Sequence, residues 1–157
     1  MFAYANLLPD GLLMMLYSLF DECLYSVTLD VSRLLGKQLN YDRGKTGRFT
    51  ADQALRFLTD EVGLAVVDLC PSWEKIESIR KLKDIVLADH RYVRDEHILF
   101  LQSLAQGSKH FSFKDVYQGK VFSFDFDFDY VAELCKTMVL FFQELEKPLS
   151  TLQGQQS

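Results

Sequence analysis

Glycine and proline are scarce in this sequence, with 8 and 3 occurrences among 157 residues. Together with 48% hydrophobic and 25% charged residues, this scarcity excludes a collagen-like, low-complexity or disordered chain. Basic residues are outnumbered by acidic ones, 17 against 22, so a protein that coats nucleic acid by charge alone is excluded. The three cysteines are an odd number without metal-type spacing, which favours free thiols in a cytoplasmic setting.

Long apolar runs are also missing. A membrane span needs about 18 apolar residues, whereas the most apolar stretch, Leu12 to Phe20, contains Ser18 and is followed by Asp21. A signal peptide is not expected, because the first Lys or Arg is Arg33 and Pro9 interrupts the place of an apolar core. We therefore expect a soluble protein with no membrane contact.

Apolar residues recur every three to four positions along most of the chain, which predicts helices. Caps and breakers then set the bounds of each one. The predicted helices run from an Asp10 cap to Gly36, from Thr50 or Asp52 to Leu69, from Trp73 to about Asp89, from Ile98 to Gly107, and from an Asp129 cap to Pro148.

The stretch before the last predicted helix changes to a period of two, because phenylalanines alternate with polar residues from Phe111 to Phe128. This pattern predicts two short strands joined by a turn from Lys114 to Lys120, with the phenylalanines forming either a core edge or a dimer contact. The fold class is therefore mainly α, with about four to five helices and a small β-hairpin before the last helix. We expect one domain over residues 1–149 and a flexible tail over residues 150–157.

Motifs for metals and cofactors are absent. Asp125, Asp127 and Asp129 match the first acidic positions of a calcium loop, but Tyr130 replaces the required Gly and Lys136 the bidentate Glu. A strand with a polar face explains the alternation without any ion.

The histidines His90, His97 and His110 have no Cys or carboxylate partner at the spacing of zinc ligands. No phosphate-binding glycine loop, dinucleotide fingerprint or nucleophile elbow is present either. We therefore expect no metal and no cofactor.

One stretch is more specific: WEKIESIRKLKDIVLADH from Trp73 to His90, followed by VRDEHIL from Val93 and then by the last predicted helix. This order resembles the HEPN superfamily, whose helical domain carries E-x-I-R-x-L-R-N-x-x-x-H, a polar turn, V-x-(D/E)-x-x-L and a closing amphipathic helix. Residues 16–24, LYSLFDECL, resemble the F-E-x-x-L pattern of the family's first helix. The resemblance covers nearly the whole chain and implies a HEPN-like helical bundle that forms a homodimer.

Ribonucleases of this family use an Arg and a His separated by four to six residues, without metal, and two protomers bring their motifs together. The His transfers the proton of the ribose 2′-hydroxyl and the Arg neutralises the phosphorane. The resemblance places Lys83 at the Arg position, Asp84 after it and Ala88 at the His position. Ala88 cannot transfer a proton, whereas Lys83 can still neutralise a phosphate as a point charge.

The resemblance thus implies a decayed nuclease that acts as a non-catalytic binding module. It would bind RNA, a nucleotide or a partner protein in a defence, toxin-antitoxin or RNA-processing setting. The candidate phosphate-binding residues are Arg80, Lys83, Arg91 and Arg94.

Two alternatives remain open. In the first, the chain is an active metal-independent ribonuclease, with Lys83, Asp84 and His90 as catalytic residues or with Arg91 and His97 in their place. Lys83 and His90 would fall on one face if the helix continued that far, and Arg91 and His97 have the literal spacing of the motif. In the second, the chain is a structural subunit of a larger complex. The basic segment Arg33 to Arg56 is either a binding surface or a solvated loop.

Overall fold

The computed structural model describes residues 7–39, 49–89 and 93–154, and this part of the chain is mainly helical. The elements are α1 (Leu7–Leu35), α2 (Ala51–Arg56), a π-helical turn (Phe57–Glu61), α3 (Val66–Leu69), α4 (Trp73–Asp89), a 3-10 turn (Asp95–His97), α5 (Ile98–Gly107), β1 (Phe111–Asp115), β2 (Phe122–Phe126) and α6 (Phe128–Gly154). The predicted class, helical with a hairpin before the last helix, is confirmed.

The contacts group into two compact units. The first contains the chain up to Leu16 together with Ser78–Lys136, and therefore the hairpin and the first turns of α6. The second contains Tyr17–Glu77 and the chain from Thr137 onward. Helices α1, α4 and α6 each contribute to both units.

Helix α1 ends where the sequence predicts. Gly36 has φ +62°, and the N–H groups of Gly36 and Lys37 donate to the carbonyls of Arg33 and Ser32 at 3.3 and 3.0 Å. These two bonds form a Schellman motif, which satisfies carbonyls that the helix end leaves open. The predicted Asp10 cap is wrong: α1 begins at Leu7, because the first turn of a helix tolerates a proline that lacks an N–H.

Among the described helices, α1 is the one that is long and apolar enough to cross a membrane. An 18-residue window of α1 has a mean hydropathy of 1.3, and 28% of that window is buried. A mean hydropathy over a window tolerates isolated charged residues, whereas the criterion of an unbroken apolar run does not. Core helices of soluble proteins and signal sequences satisfy the same criteria of length and composition.

Thr50 opens helix α2, as one of the two predicted caps. Its backbone N–H donates to Gln53 Oε1 at 2.9 Å, which is half of a capping box. The other predicted cap, Asp52, lies inside the first turn of α2. Residues 40–48 of the basic segment before Thr50 lie outside the described residues.

The predicted continuous helix from Thr50 to Leu69 is wrong, because it is interrupted at Gly63. The Val62 N–H donates to the Phe57 carbonyl at 3.1 Å, which is the five-residue step of a π-helix. Gly63 then has φ +82°, a left-handed conformation that favours glycine, and the helix restarts at Val66.

An aromatic cluster forms the core of the second unit. Phe141 is fully buried, and its ring centroid lies 5.6 Å from Phe20 and 5.4 Å from Trp73. Next to Trp73, the N–H and Oγ of Ser72 both donate to Glu144 Oε2, at 3.0 and 2.5 Å. The predicted start of a helix at Trp73 is confirmed, and Ser72 just ahead of it is bonded to α6 through this carboxylate.

The predicted stop of the last helix at Pro148 is wrong, because α6 continues to Gly154. Proline removes one N–H from the helix ladder, but the helix can continue when neighbouring residues hold it. Leu145 is buried one turn earlier, and the Ser150 and Thr151 hydroxyls donate to carbonyls four residues back at 2.9 and 3.2 Å. Residues 150–154 are therefore helical rather than a free tail.

The two strands form an antiparallel hairpin. Phe111 faces Phe126 and Phe113 faces Phe124, so the phenylalanines share one side while Ser112 and its partner Asp125 lie on the other. Phe111, Phe124 and Phe126 are buried within this single chain. Of the two predicted roles for the phenylalanines, the structure shows the core edge for these three.

The turn of the hairpin is shorter than predicted, because Lys114 belongs to β1. The Asp115 carboxylate accepts the backbone N–H groups of Tyr117 and Gly119, at 3.0 and 2.7 Å. Gly119 has φ +75°, which suits a residue without a side chain.

We expect Phe141→Ala to lower the free energy of unfolding by about 3–5 kcal/mol, because it opens a cavity where three aromatic rings meet. Val139→Ala is the matched control: it lies in the same helix, its side chain is 52% exposed, and its cost should stay within about 0.5 kcal/mol. Urea denaturation of both variants measures the difference. Equal losses would contradict the assignment of Phe141 to the core.

The three free cysteines differ in environment, since Cys23 and Cys135 are exposed and Cys70 is buried. Burial, followed by the charge of Glu144, raises the pKa of the Cys70 thiol to about 11. Mass spectrometry after brief alkylation at pH 8 should therefore find modified Cys23 and Cys135 in the folded protein, and modified Cys70 only after unfolding. Alkylation of Cys70 as fast as Cys135 in the folded protein would contradict this prediction.

Candidate functional site

The residues aligned with the ribonuclease motif lie on helix α4. Lys83 is half-buried, and its Nζ lies 3.0 Å from Asp84 Oδ1. Arg80 precedes Lys83 by three residues, a spacing that places both on one side of the helix. Ala88 is exposed in the last turn of α4, so the helix continues unbroken through the position aligned with the family's His.

The other predicted site residues follow α4. Arg94 is exposed and precedes the 3-10 turn, and His97 ends that turn with its Nε2 3.5 Å from Glu96 Oε1. His90 and Arg91 lie outside the described residues. The Lys83–His90 and Arg91–His97 pairs therefore each include a residue that the structure does not describe.

A second group of polar residues lies at the open end of the hairpin. His110 immediately precedes β1 and Asp127 immediately follows β2, and the Asp127 N–H donates to the His110 carbonyl at 3.2 Å. This bond extends the strand ladder by one step, because the same register pairs Phe111 with Phe126. Strand pairing thus brings together two residues that are 17 positions apart in the sequence.

The side chains of this group are in contact. His110 Nδ1 lies 2.9 Å from Asp127 Oδ2 and 3.8 Å from Asp129 Oδ2. One donor atom from each of the three residues lies within 4.8 Å of the others. We call His110, Asp127 and Asp129 the hairpin-end cluster.

Asp127 also caps helix α6. Its Oδ1 accepts the Tyr130 N–H at 3.0 Å, which is the bond of an N-cap residue to the third residue of the helix. The predicted cap, Asp129, is wrong, because α6 begins at Phe128 and Asp129 lies within its first turn. One carboxylate oxygen of Asp127 therefore accepts a hydrogen bond from the helix backbone, and the other contacts the imidazole.

The environment of Asp127 keeps its carboxylate ionised. The hydrogen bond from His110, followed by the Tyr130 N–H, lowers the pKa of Asp127 below its ordinary value. Burial raises the pKa of the Tyr130 phenol well above its usual range, so this neighbour stays neutral.

The backbone of His110 is connected to helix α6 by two hydrogen bonds through the Ser108 hydroxyl. Ser108 Oγ accepts the His110 N–H at 3.1 Å and donates to Glu133 Oε2 at 2.7 Å. Bonds of this kind hold a functional side chain in place from outside the site. The position of the imidazole therefore depends on both strands at the open end of the hairpin and on the first turns of α6.

A pocket of about 340 Å³ opens beside the cluster. It is lined by Pro9, Lys109, His110, Ser112, Asp125, Phe126, Asp127 and Phe128. A half-buried imidazole in contact with carboxylates can hold a divalent metal or transfer a proton.

This site is not visible in the sequence as ligands at short spacing, because His110 and Asp127 are 17 positions apart. Its signal was present in the phenylalanine alternation: once Phe111 is paired with Phe126, His110 must face Asp127. The aspartates of this stretch also fit a polar strand face, and only the strand register pairs one of them with the residue that precedes β1.

Comparisons with known proteins add no relative: no protein-family model, no curated protein and no solved structure matches this chain.

Replacing His110 should raise the pKa of Asp127 toward its ordinary value, because the imidazole is the largest cause of the lowering. A lowered pKa stabilises the fold above the pKa of the unfolded carboxyl, and that stabilisation is lost as the pH falls through the folded value. NMR titration of the Asp127 carboxyl in the parent, in His110→Gln and in His97→Gln checks this. An unchanged Asp127 titration in His110→Gln would contradict the contact.

Proposed function

We propose that this chain is a HEPN-like protein that has lost the catalytic motif and acts by binding. Its ligand is a phosphate-bearing molecule, RNA or a nucleotide, held by basic side chains on and after α4. The proposal rests on the sequence resemblance together with the geometry of α4, and defence, toxin-antitoxin or RNA-processing roles follow from the resemblance.

The observation that carries the proposal is the position of Ala88. Helix α4 runs without a break from Trp73 to Asp89, so no bulge moves another residue into the place aligned with the family's His. Ala88 is exposed there and ends in a methyl group, which cannot take or give a proton. Proton transfer at that position is therefore lost.

Basic side chains that could bind a phosphate remain on and after α4, although a lysine stands at the position of the catalytic arginine. Lys83 is half-buried and contacts the exposed carboxylate of Asp84. A phosphate would take the place of that carboxylate as the partner of the lysine. Arg80 on the same side of α4 supplies a second cation, and Arg94 follows the helix. Lysine binds phosphate as a point charge without the two-pronged geometry of arginine, which suits binding better than transition-state recognition.

A homodimer is part of the proposal. Leu87, which precedes Ala88, is 59% exposed, and Leu99 on α5 is 81% exposed. The resemblance supports a second copy, because two protomers of the family bring their motifs together. Sedimentation or light scattering gives the mass directly.

A cleavage assay tests the loss of catalysis. We expect no fragments when the purified chain is incubated with a mixed RNA pool in EDTA, because Ala88 replaces the proton carrier. The His90→Ala, His97→Ala double variant is run beside it. Fragments from the parent that disappear in the double variant would establish the alternative, an active ribonuclease, and overturn the proposal.

A binding assay tests the retained phosphate contact. Lys83→Ala should weaken the binding of labelled RNA or nucleotide by at least about tenfold, with a shallower salt dependence. Lys75→Ala is the matched control, since Lys75 is an exposed lysine of the same helix outside the proposed contact. Equal affinities of the parent and Lys83→Ala, or no affinity of the parent for either ligand, would contradict phosphate binding and favour a partner protein.

A further inference from the structure

We propose that the hairpin-end cluster, His110, Asp127 and Asp129, binds one divalent transition-metal ion such as Zn²⁺. The proposal is independent of the binding function assigned to α4. It rests on the donor atoms of the cluster, their spacing, and the elements that hold them.

The spacing of the donor atoms fits a metal ion. Two ligand atoms at about 2.0–2.2 Å from a tetrahedral metal lie about 3.3–3.6 Å from each other. The distances from His110 Nδ1 to the carboxylates of Asp127 and Asp129, 2.9 and 3.8 Å, fall on either side of that range. All three donor atoms lie within 4.8 Å of one another, and the two aspartates are exposed, so their side chains are free to adjust around one ion.

The types of donor select the class of metal. Calcium and magnesium prefer shells of oxygen atoms alone, whereas an imidazole nitrogen with carboxylates suits zinc and its neighbours. Three protein ligands leave one position of a tetrahedral ion open for water or for a ligand. His110 and Asp127 line the pocket of about 340 Å³, which offers space for such a ligand beside them.

The local charges favour a cation. Asp127 and Asp129 belong to the cap and first turn of α6, where the helix dipole contributes roughly half a positive charge. Two carboxylates exceed that charge, and Asp125 on the pocket wall adds a third. Lys109, also on the pocket wall, offsets one of the three. The balance of these fixed charges is negative before any ion binds.

The ligands are also held from outside. The Tyr130 N–H donates to Asp127 Oδ1, and Asp127 Oδ2 contacts the imidazole of His110. Ser108 fixes the His110 backbone, and the hairpin ladder fixes its distance from Asp127. Such supporting bonds set the orientation of ligands in metal sites and reduce the ordering that binding requires.

Metal titration of the purified full-length chain tests the proposal. We expect calorimetry with Zn²⁺ to show one site per chain, and Co²⁺ to bind the same site with an absorption spectrum free of thiolate charge transfer. That spectrum separates the cluster from the exposed thiols of Cys23 and Cys135, which would give an intense sulfur band.

Four variants complete the test. His110→Gln and Asp129→Asn each remove one ligand and should weaken Zn²⁺ binding by at least tenfold. Asp129 is 77% exposed on its side chain, so its replacement leaves the fold intact, which circular dichroism verifies. His97→Gln and Asp52→Asn are matched controls outside the cluster and should bind as the parent does.

Three results would overturn the proposal. They are a parent chain that binds no Zn²⁺, a cobalt spectrum dominated by thiolate, and unchanged affinity in both His110→Gln and Asp129→Asn. In each case the cluster would serve only to cap α6 and fasten the hairpin. Loss of RNA binding in Lys83→Ala does not bear on any of them.

Discussion

The antiparallel pairing of β1 with β2 is the constraint on which the first unit depends. Side chains alternate across a strand, so one register decides at once which face is buried and which residues meet at the open end. The register that buries Phe111, Phe124 and Phe126 also places His110 opposite Asp127. Slippage by one residue would turn the rings to solvent and separate the imidazole from its carboxylate.

Helix α6 joins this hairpin to the rest of the chain. Its first turn is capped by Asp127, and Phe141, halfway along the helix, lies in the aromatic core of the second unit. Glu144 then accepts both hydrogen bonds from Ser72 ahead of α4. One helix therefore contributes to the candidate metal cluster, to a hydrophobic core and to the start of the helix that carries Lys83.

The helices and strands were predictable from the sequence where a single residue type restricts the backbone to one conformation. Gly36 and the hairpin phenylalanines gave correct predictions because a left-handed φ and a two-residue period have few alternatives. The predicted end at Pro148 was wrong because a proline late in a helix removes one hydrogen bond, a loss that flanking contacts offset. The predicted cap at Asp129 was wrong because two nearby aspartates are both suitable N-cap residues.

The site was harder to predict than the elements. The candidate residues of α4 can be read from a contiguous sequence motif. The hairpin-end cluster can be predicted only if the register of the two strands is known, and motifs with short spacing carry no information about register. His110 and Asp127 are distant in sequence and adjacent only through the ladder. The exposure of Ala88 is likewise a property of the folded helix, although its identity is visible in the chain.

The π-helical turn at Phe57–Glu61 sets the rotation of the chain that follows it. A five-residue hydrogen-bonded step holds one residue more than an α-helical turn. Phe57 and Leu58, consecutive in sequence, are both buried there. Deletion of one residue from this turn would rotate the following segment by about 100°. The number of residues between Thr50 and Gly63 therefore decides which of their side chains face the core.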